Sequence, residues 1–186
     1  MIVLLTKAEI IEKIGKSSAD AFAELYMEYL PKVYRYISYR ITDQPVAEDL
    51  TSVVFEKALT KFKSYQSDKA KFSTWIFTIA RNTLIDHYRV SRKQQSAELE
   101  DGINPTSSGS SPEDERDRAE EVMILHSCLA ELSSSEQEII SLKFGAEMTN
   151  RQISKMLSLS ESNVGIIIYR AVRKLRDRFK VKQNVK

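Results

Sequence analysis

Along residues 71–89, KFSTWIFTIARNTLIDHYR, apolar side chains return every three or four positions. That is the spacing of one helix face. Phe72, Trp75, Ile76, Ile79 and Thr83 form one stripe, with Phe77, Ala80, Leu84 and Tyr88 beside it. The pattern predicts one helix with a wide apolar arc. The same period over 20–41, in Phe22, Leu25, Tyr26, Tyr29, Val33, Ile37 and Ile41, predicts another, with Pro31 expected to kink or break it. Thr42–Pro45 is a start signal for a helix over 45–62, with Val46, Leu50, Val53, Ala58 and Phe62 expected inward. Lys63–Ala70 reads as a polar loop.

The pattern lapses from Ser91 to Glu115. Gly102, Pro105, Gly109, Pro112 and the run Thr106–Ser111 carry no period, which predicts a flexible linker. Beyond it, Val122, Leu125, Leu129 and Leu132 predict a helix. Ser133 with Glu136, and Thr149 with Gln152, are capping boxes that open two more. Ile139, Ile140 and Leu142 belong to the first; Ile153, Met156 and Leu157 belong to the second. Ser158–Ser160 is a tight turn, and Val164, Ile168, Ala171, Leu175 and Phe179 stripe a last helix. The expected fold is all-α: an N-terminal helical bundle over 1–91, a flexible acidic linker over 92–117, and a C-terminal helix-turn-helix domain over 118–186.

Composition supports this. The chain has 186 residues, 42% hydrophobic, with 5 Gly and 4 Pro, a helical balance. The net charge of +2 conceals an asymmetry. Glu98–Glu121 holds nine acids against two bases, and Tyr169–Lys186 eight bases against one acid. A basic C-terminal helix behind an acidic stretch points to a polyanion partner for that end. The single cysteine, Cys128, excludes an internal disulfide and a cysteine-cluster zinc site, and reads as a buried thiol. Met1–Leu5 is apolar but too short for a signal sequence or a membrane span, so an intracellular protein without membrane insertion is expected.

Candidate chemistry is binding rather than catalysis. His87 and His126 lie in different halves with no cysteine or acid at ligand spacing, and no phosphate-cradling glycine loop is present. No enzyme activity and no cofactor are expected. In the helix over 71–89, Lys71, Arg81, Asn82, Asp86 and Arg89 sit between the apolar stripes. Aromatics interleaved with cations and an amide supply stacking faces, phosphate partners and a base-edge reader for single-stranded nucleic acid. The alternative is that Trp75 and Phe77 are simply core. Asp49, Ser52 and Glu56, at steps of three and four, are either a solvated face or a partner surface. The short helix, three-residue turn and longer helix bearing Arg170, Arg173, Lys174 and Arg176 is a helix-turn-helix pattern, whose second helix would enter the major groove.

AEDLTSVVFEKAL and FSTWIFTIARNTLIDHYR in the first half, with LSSSEQEIISLKF and MTNRQISKMLSLSESNVGIIIYRAVRKLR in the second, are similar to the extracytoplasmic-function sigma factors, small bacterial initiation factors of RNA polymerase. The resemblance runs from Ala19 to Phe179 except the linker. It implies a cytoplasmic sigma factor that binds core RNA polymerase, recognises the minus-thirty-five element and opens the minus-ten element. The first domain would be region two and the second region four. Asp49, Ser52 and Glu56 would grip the largest-subunit clamp, and the second domain would meet the flap of the second-largest subunit. Phe62, the loop after it and Asn82 match the pocket that captures a flipped minus-ten base, and Asp86 and Arg89 match the surface at that element's upstream edge. Lys71, Trp75 and Arg81 complete the minus-ten set. Ser162, Asn163, Gly165, Ile166, Ile167, Tyr169, Arg170, Arg173 and Lys174 form the minus-thirty-five set. The linker would thread polymerase channels, and an anti-sigma factor wedged between the domains is an implied partner.

Four positions depart from the family pattern. Ser158 stands where the turn usually has glycine, which requires a left-handed residue with a side chain. Gly165, Ile166 and Ile167 replace basic or polar residues, and shift the expected readout toward phosphate and methyl contacts. Two other readings are a helix-turn-helix regulator acting without polymerase, and an interaction protein that binds no DNA.

Overall fold

The computed structural model describes residues 16–66, 70–98 and 113–183, and among these every regular element is helical. The first domain comprises α1 (Lys16–Ser38), α2 (Gln44–Lys61) and α3 (Phe72–Glu98), with a short 3₁₀ turn over Phe62–Ser64. The second comprises α4 (Glu113–Ala130), α5 (Ser134–Ile140), α6 (Asn150–Leu157) and α7 (Glu161–Gln183). Residues 92–98 and 113–117, expected in the linker, are the ends of α3 and α4. Their runs of Arg, Lys, Gln, Ala and Glu are good helix formers. The rest of the expected linker, 99–112, and the apolar Met1–Leu5 lie outside the described residues.

Each helix start has a local cause. The Asp43 carboxylate accepts from the Val46 amide, and Pro45 occupies the first turn of α2. Ser133 with Glu136 and Thr149 with Gln152 both form complete capping boxes. Pro31, by contrast, does not break α1, which runs unbroken through it. Pro31 and Met27, whose carbonyl loses its partner, both lie on the exposed side. Solvent reaches the freed group there, so the proline costs little.

The face of α2 is also shifted from the expected one. Its buried residues are Ala47, Thr51, Val54, Phe55, Ala58 and Leu59, while Val46, Leu50 and Phe62 pack at the rim and Val53 sits half-buried on the flank. Thr51 is the reason hydropathy misplaced it: its hydroxyl donates to the Ala47 carbonyl at 2.7 Å, so a polar side chain is buried with its hydrogen bond made. Around α2, Phe22, Tyr36, Phe55, Leu59, Ile76, Phe77 and Leu84 are fully buried and form the first domain's core.

In the second domain α7 is the hub on which α4, α5 and α6 pack. Cys128, Leu129, Leu132 and Ala171 are buried there, and Val164, Ile168, Ala171, Leu175 and Phe179 face inward as expected. Val122 and Leu125, expected in the same seam, are exposed. After α5 the chain makes one wider, π-type turn over Ser141–Gly145, closed by Ala146 N–H to the Ser141 carbonyl at 2.9 Å. That turn lies on α1, and α6 lies on α3, so the two domains share a continuous apolar contact.

Candidate nucleic-acid interface

The interface begins with a ring cluster at the start of α3. Phe62 and Tyr65 stack at 6.2 Å, and Phe62 meets Phe22 edge-on at 5.0 Å. Tyr65 lies 5.0 Å from Trp75, and Phe72 lies 5.4 Å from Trp75. The Tyr65 hydroxyl donates to the Ala70 carbonyl at 2.9 Å, clipping the loop between them. Phe72 and Phe77 are buried core, whereas Phe62, Tyr65 and Trp75 are half-buried and keep a rim toward solvent. So Phe77 is core, and Trp75 packs on Tyr65 and Phe72 while keeping a solvent-facing rim. Within the expected loop, residues 67–69 lie outside the described residues.

From Trp75 one stripe of α3 stays open: Thr78, Asn82, Ile85, Asp86 and Arg89 are exposed. Asn82 is seven residues after Trp75, about two turns or ~10 Å along the same side. The Thr78 hydroxyl is turned back to the Thr74 carbonyl, and Asp86 pairs with Arg89 at 3.2 Å. The Asn82 amide makes no hydrogen bond to any described group, which leaves its donor and acceptor available. Lys71 is exposed at the head of the stripe. Arg81 does not join it. Its side chain lies on the flank, and its Nε donates to Glu138 of the second domain at 2.5 Å.

On α2, Asp49 and Glu56 are exposed on one face, with Ser52 between them half-buried and donating to the Glu48 carbonyl at 3.1 Å. Two carboxylates on an open helix face suit a basic partner.

In the second domain the turn between α6 and α7 is built as its spacing requires. Ser158 is left-handed, φ 56° and ψ 40°, and its N–H caps α6 on the Ser154 carbonyl. The Ser154 hydroxyl in turn donates to the Leu159 carbonyl at 2.6 Å. Asn163 N–H bonds the Ser160 hydroxyl at 3.2 Å, which opens α7. Along α7, Ser162, Asn163, Ile166, Tyr169, Arg170 and Arg173 are exposed, and Gly165 and Ile167 are partly covered. Lys174 is committed to Glu136 at 2.6 Å, and that contact, ahead of the Ser133 cap, holds the Glu136 carboxyl below its usual range. Gly165 is not required by packing, because a methyl there would meet only the Asn150 amide at 3.7 Å. It lowers the bulk of α7 at the cost of up to ~1 kcal/mol of helix propensity.

Four residues of consequence carried no sequence signal. Tyr65 sits in a segment that reads as polar, and its only cue is an aromatic beside Phe62. Glu138, Gly145 and Glu147 act across the domains, through contacts with residues more than 50 positions away. Among the described residues no group of His, Cys, Asp and Glu could hold a metal ion, and no helix is long and apolar enough to cross a membrane.

Comparison with known proteins follows the same division. Residues 25–94 match the family model of sigma-70 region 2, and residues 128–177 that of sigma-70 region 4. The ECF RNA polymerase sigma factor BldN of Streptomyces coelicolor is 32% identical over 90% of this chain, which spans 63% of that relative. The ECF sigma factor SigM of Bacillus subtilis is 27% identical over 82% of this chain and 91% of its own. Two solved structures share the fold. Sigma factor RpoE, in complex with the anti-sigma factor NepR from Bartonella quintana, has a TM-score of 0.64 at 20% identity, covering 87% of this chain and 98% of its own. CnrH, in complex with the cytosolic domain of CnrY, has a TM-score of 0.63 at 21% identity, covering 94% and 95%. A match to region 2 as well as region 4 sets aside the regulator that works without polymerase. The two models together cover more than half of the chain, which therefore belongs to the extracytoplasmic-function branch of the sigma-70 family: it is a non-enzymatic sigma factor that directs promoter-specific transcription initiation.

Proposed function

We propose a division of labour among the residues placed above. The first domain, α1 to α3, binds polymerase through Asp49 and Glu56 on α2, with Ser52 between them, against basic groups of the largest-subunit clamp. It captures an unpaired minus-ten base at the rim of Phe62, Tyr65 and Trp75. Asn82 bonds the base edge, Lys71 meets the backbone, and Asp86 with Arg89 meets the upstream end of the element. Duplex opening is thermal, and the aromatic rim gives the unstacked base a surface to settle on. The second domain reads the minus-thirty-five element with α7. Arg170 and Arg173 contact phosphates, and Ile166 and Tyr169 lie against base edges or methyls. Its other side meets the flap of the second-largest subunit. The work takes place in the cytoplasm, where polymerase and promoter are.

The observation that carries this reading is the open stripe on α3. An unpartnered amide lies two turns from a half-exposed tryptophan, with a cation at either end, and no described residue covers it. Run-off transcription with bacterial core polymerase over a promoter library tests it. Promoter-specific transcripts that disappear with Asn82→Ala support the assignment; no transcript from any promoter refutes it.

We further propose an anti-sigma factor as a partner of this chain. The support is the fold shared with two sigma factors solved in such complexes, and Ile166 and Val172, which lie exposed on α7. Co-expression with neighbouring gene products, followed by purification, tests this; recovery of the sigma factor alone in every case refutes it.

A further inference from the structure

We propose that Tyr65 is a positioning residue of the first domain: its hydroxyl fixes the span between the aromatic rim that receives an unpaired base and Lys71, the cation that meets the adjoining phosphate. This role rests on the base capture proposed above. The Tyr65 hydroxyl donates to the Ala70 carbonyl at 2.9 Å, and that carbonyl belongs to the peptide leading into Lys71. On the other side of the cation, the Trp75 amide donates to the Lys71 carbonyl at 3.2 Å. The two residues that supply the outer rings therefore each bond one of the two peptides flanking Lys71.

The phenol ring is held as firmly as its hydroxyl. It stacks on Phe62 with 22° between the planes, meets Phe72 edge-on at 5.6 Å and lies 5.0 Å from Trp75. A phenylalanine would make the same three ring contacts, so packing alone does not call for a hydroxyl. Burial holds the phenol above its usual range, so it stays protonated and donating at neutral pH. Neighbouring bonds do not replace it. The Ser64 hydroxyl is turned back to the Lys61 carbonyl at 2.7 Å, and the Ala70 N–H reaches the Gln66 carbonyl only at 3.3 Å. Neither ties the chain ahead of Lys71 to a ring of the rim.

In a nucleotide the base and the phosphate are joined through one sugar, so their separation varies little. A site that holds both gains most when ring and cation already stand at the matching span; otherwise ordering the cation costs affinity. Lys71 is exposed, and a lysine carries its charge on a flexible four-carbon stem. The order must therefore come from its backbone, which the Tyr65 hydroxyl anchors on one side and α3 on the other. Loss of the hydroxyl would leave the rings packed and the cation unregistered to them. Stacking would survive, and the phosphate contact would weaken first.

Tyr65→Phe in the full chain, assembled with bacterial core polymerase, tests this. The probe is the tightest-binding single strand selected from a randomised oligonucleotide pool, labelled for anisotropy and titrated at several salt concentrations. Tyr65→Phe should weaken its binding by about 2–10-fold, the worth of one hydrogen bond. The substitution removes no charge, yet it should lower the slope of log affinity against log salt, by up to the ~0.7 expected for one phosphate contact on a single strand. Lys71→Ala should lower the slope by that full amount, and adding it to Tyr65→Phe should cost far less than it does alone, because both act on one contact. The slope does not depend on the fraction of protein that is folded, so partial unfolding would not imitate the effect. An unchanged slope in Tyr65→Phe, or losses that simply add in the double variant, overturns the positioning role while base capture stands. A wild-type holoenzyme that binds no selected strand better than the starting pool overturns base capture and the positioning role with it.

Discussion

Asn82→Ala separates function from stability because the two should move in opposite directions. The Asn82 side chain is exposed in the interior of α3 and bonds nothing among the described residues, so its removal breaks no hydrogen bond among them. Alanine is the better helix former by about 0.5 kcal/mol. At 2–4 °C per kcal/mol for a chain of this size, the melting temperature should rise by about 1–2 °C. Binding should fall. An amide that loses its bonds to an unpaired base leaves polar groups of that base unmatched, at a cost of about 1–3 kcal/mol. That is roughly 5–150-fold in affinity. Trp75 is a poorer probe, since truncation would remove its packing on Tyr65 and Phe72 along with any stacking on DNA. The assay is fluorescence anisotropy with a labelled single-stranded minus-ten oligonucleotide, alongside thermal melting. Unchanged oligonucleotide affinity would refute the base-reader assignment. A fall of several degrees in melting temperature would show that the amide braces the fold instead.

Arg173→Ala should weaken duplex binding about equally across sequences and reduce the slope of log affinity against log salt by about one, measured by titration at several salt concentrations. Lys174→Ala should change that slope less, because the ammonium is already held by Glu136. Ser158→Gly should raise the melting temperature, since glycine takes the left-handed turn at φ 56° without strain, a gain of up to ~1 kcal/mol. Acid should destabilise the fold in a defined window. The Glu136 carboxyl is held below its ordinary 4.5, first by Lys174, and Glu147 is held down first by Arg35. A group with a depressed folded pKa contributes stability that is fully present above pH 4.5 and lost as pH falls through its folded value. Melting temperatures between pH 6 and 3 should therefore drop most below 4.5, and Lys174→Met should flatten the Glu136 part of that drop.

Helices were legible in the sequence wherever their cause is local. The stripes of α3 and α7, both capping boxes and the turn at Ser158 each depend on residues within five positions of one another. The phase of α2 was not, because Thr51 is buried by a hydrogen bond that hydropathy cannot register. The break expected at Pro31 failed for a related reason: a proline's cost depends on which way its freed carbonyl faces, and that is set by tertiary packing. The site divides in the same way. Asn82, Asp86 and Arg89 follow from one helical period. Arg81 belongs to the same period and is nonetheless drawn away, because its partner Glu138 is 57 residues along the chain.

Ser158 and Glu147 make the distinction sharpest, since both are left-handed at nearly the same φ. At Ser158 the conformation completes a local circuit. Its own N–H and that of Leu159 both bond the Ser154 carbonyl, which lies within the same turn. The three-residue connection between two helices already demands it. At Glu147 the chain also folds back on the turn before it, with Met148 N–H bonding the Leu142 carbonyl at 3.0 Å. What the conformation adds there is the placement of a carboxylate over Arg35 and Lys32, 112 and 115 positions back along the chain. Equal backbone strain therefore accompanies helix termination in both cases, and at Glu147 it serves contact between domains as well. Only the first purpose is written in neighbouring residues, so only the first can be read before the fold is known.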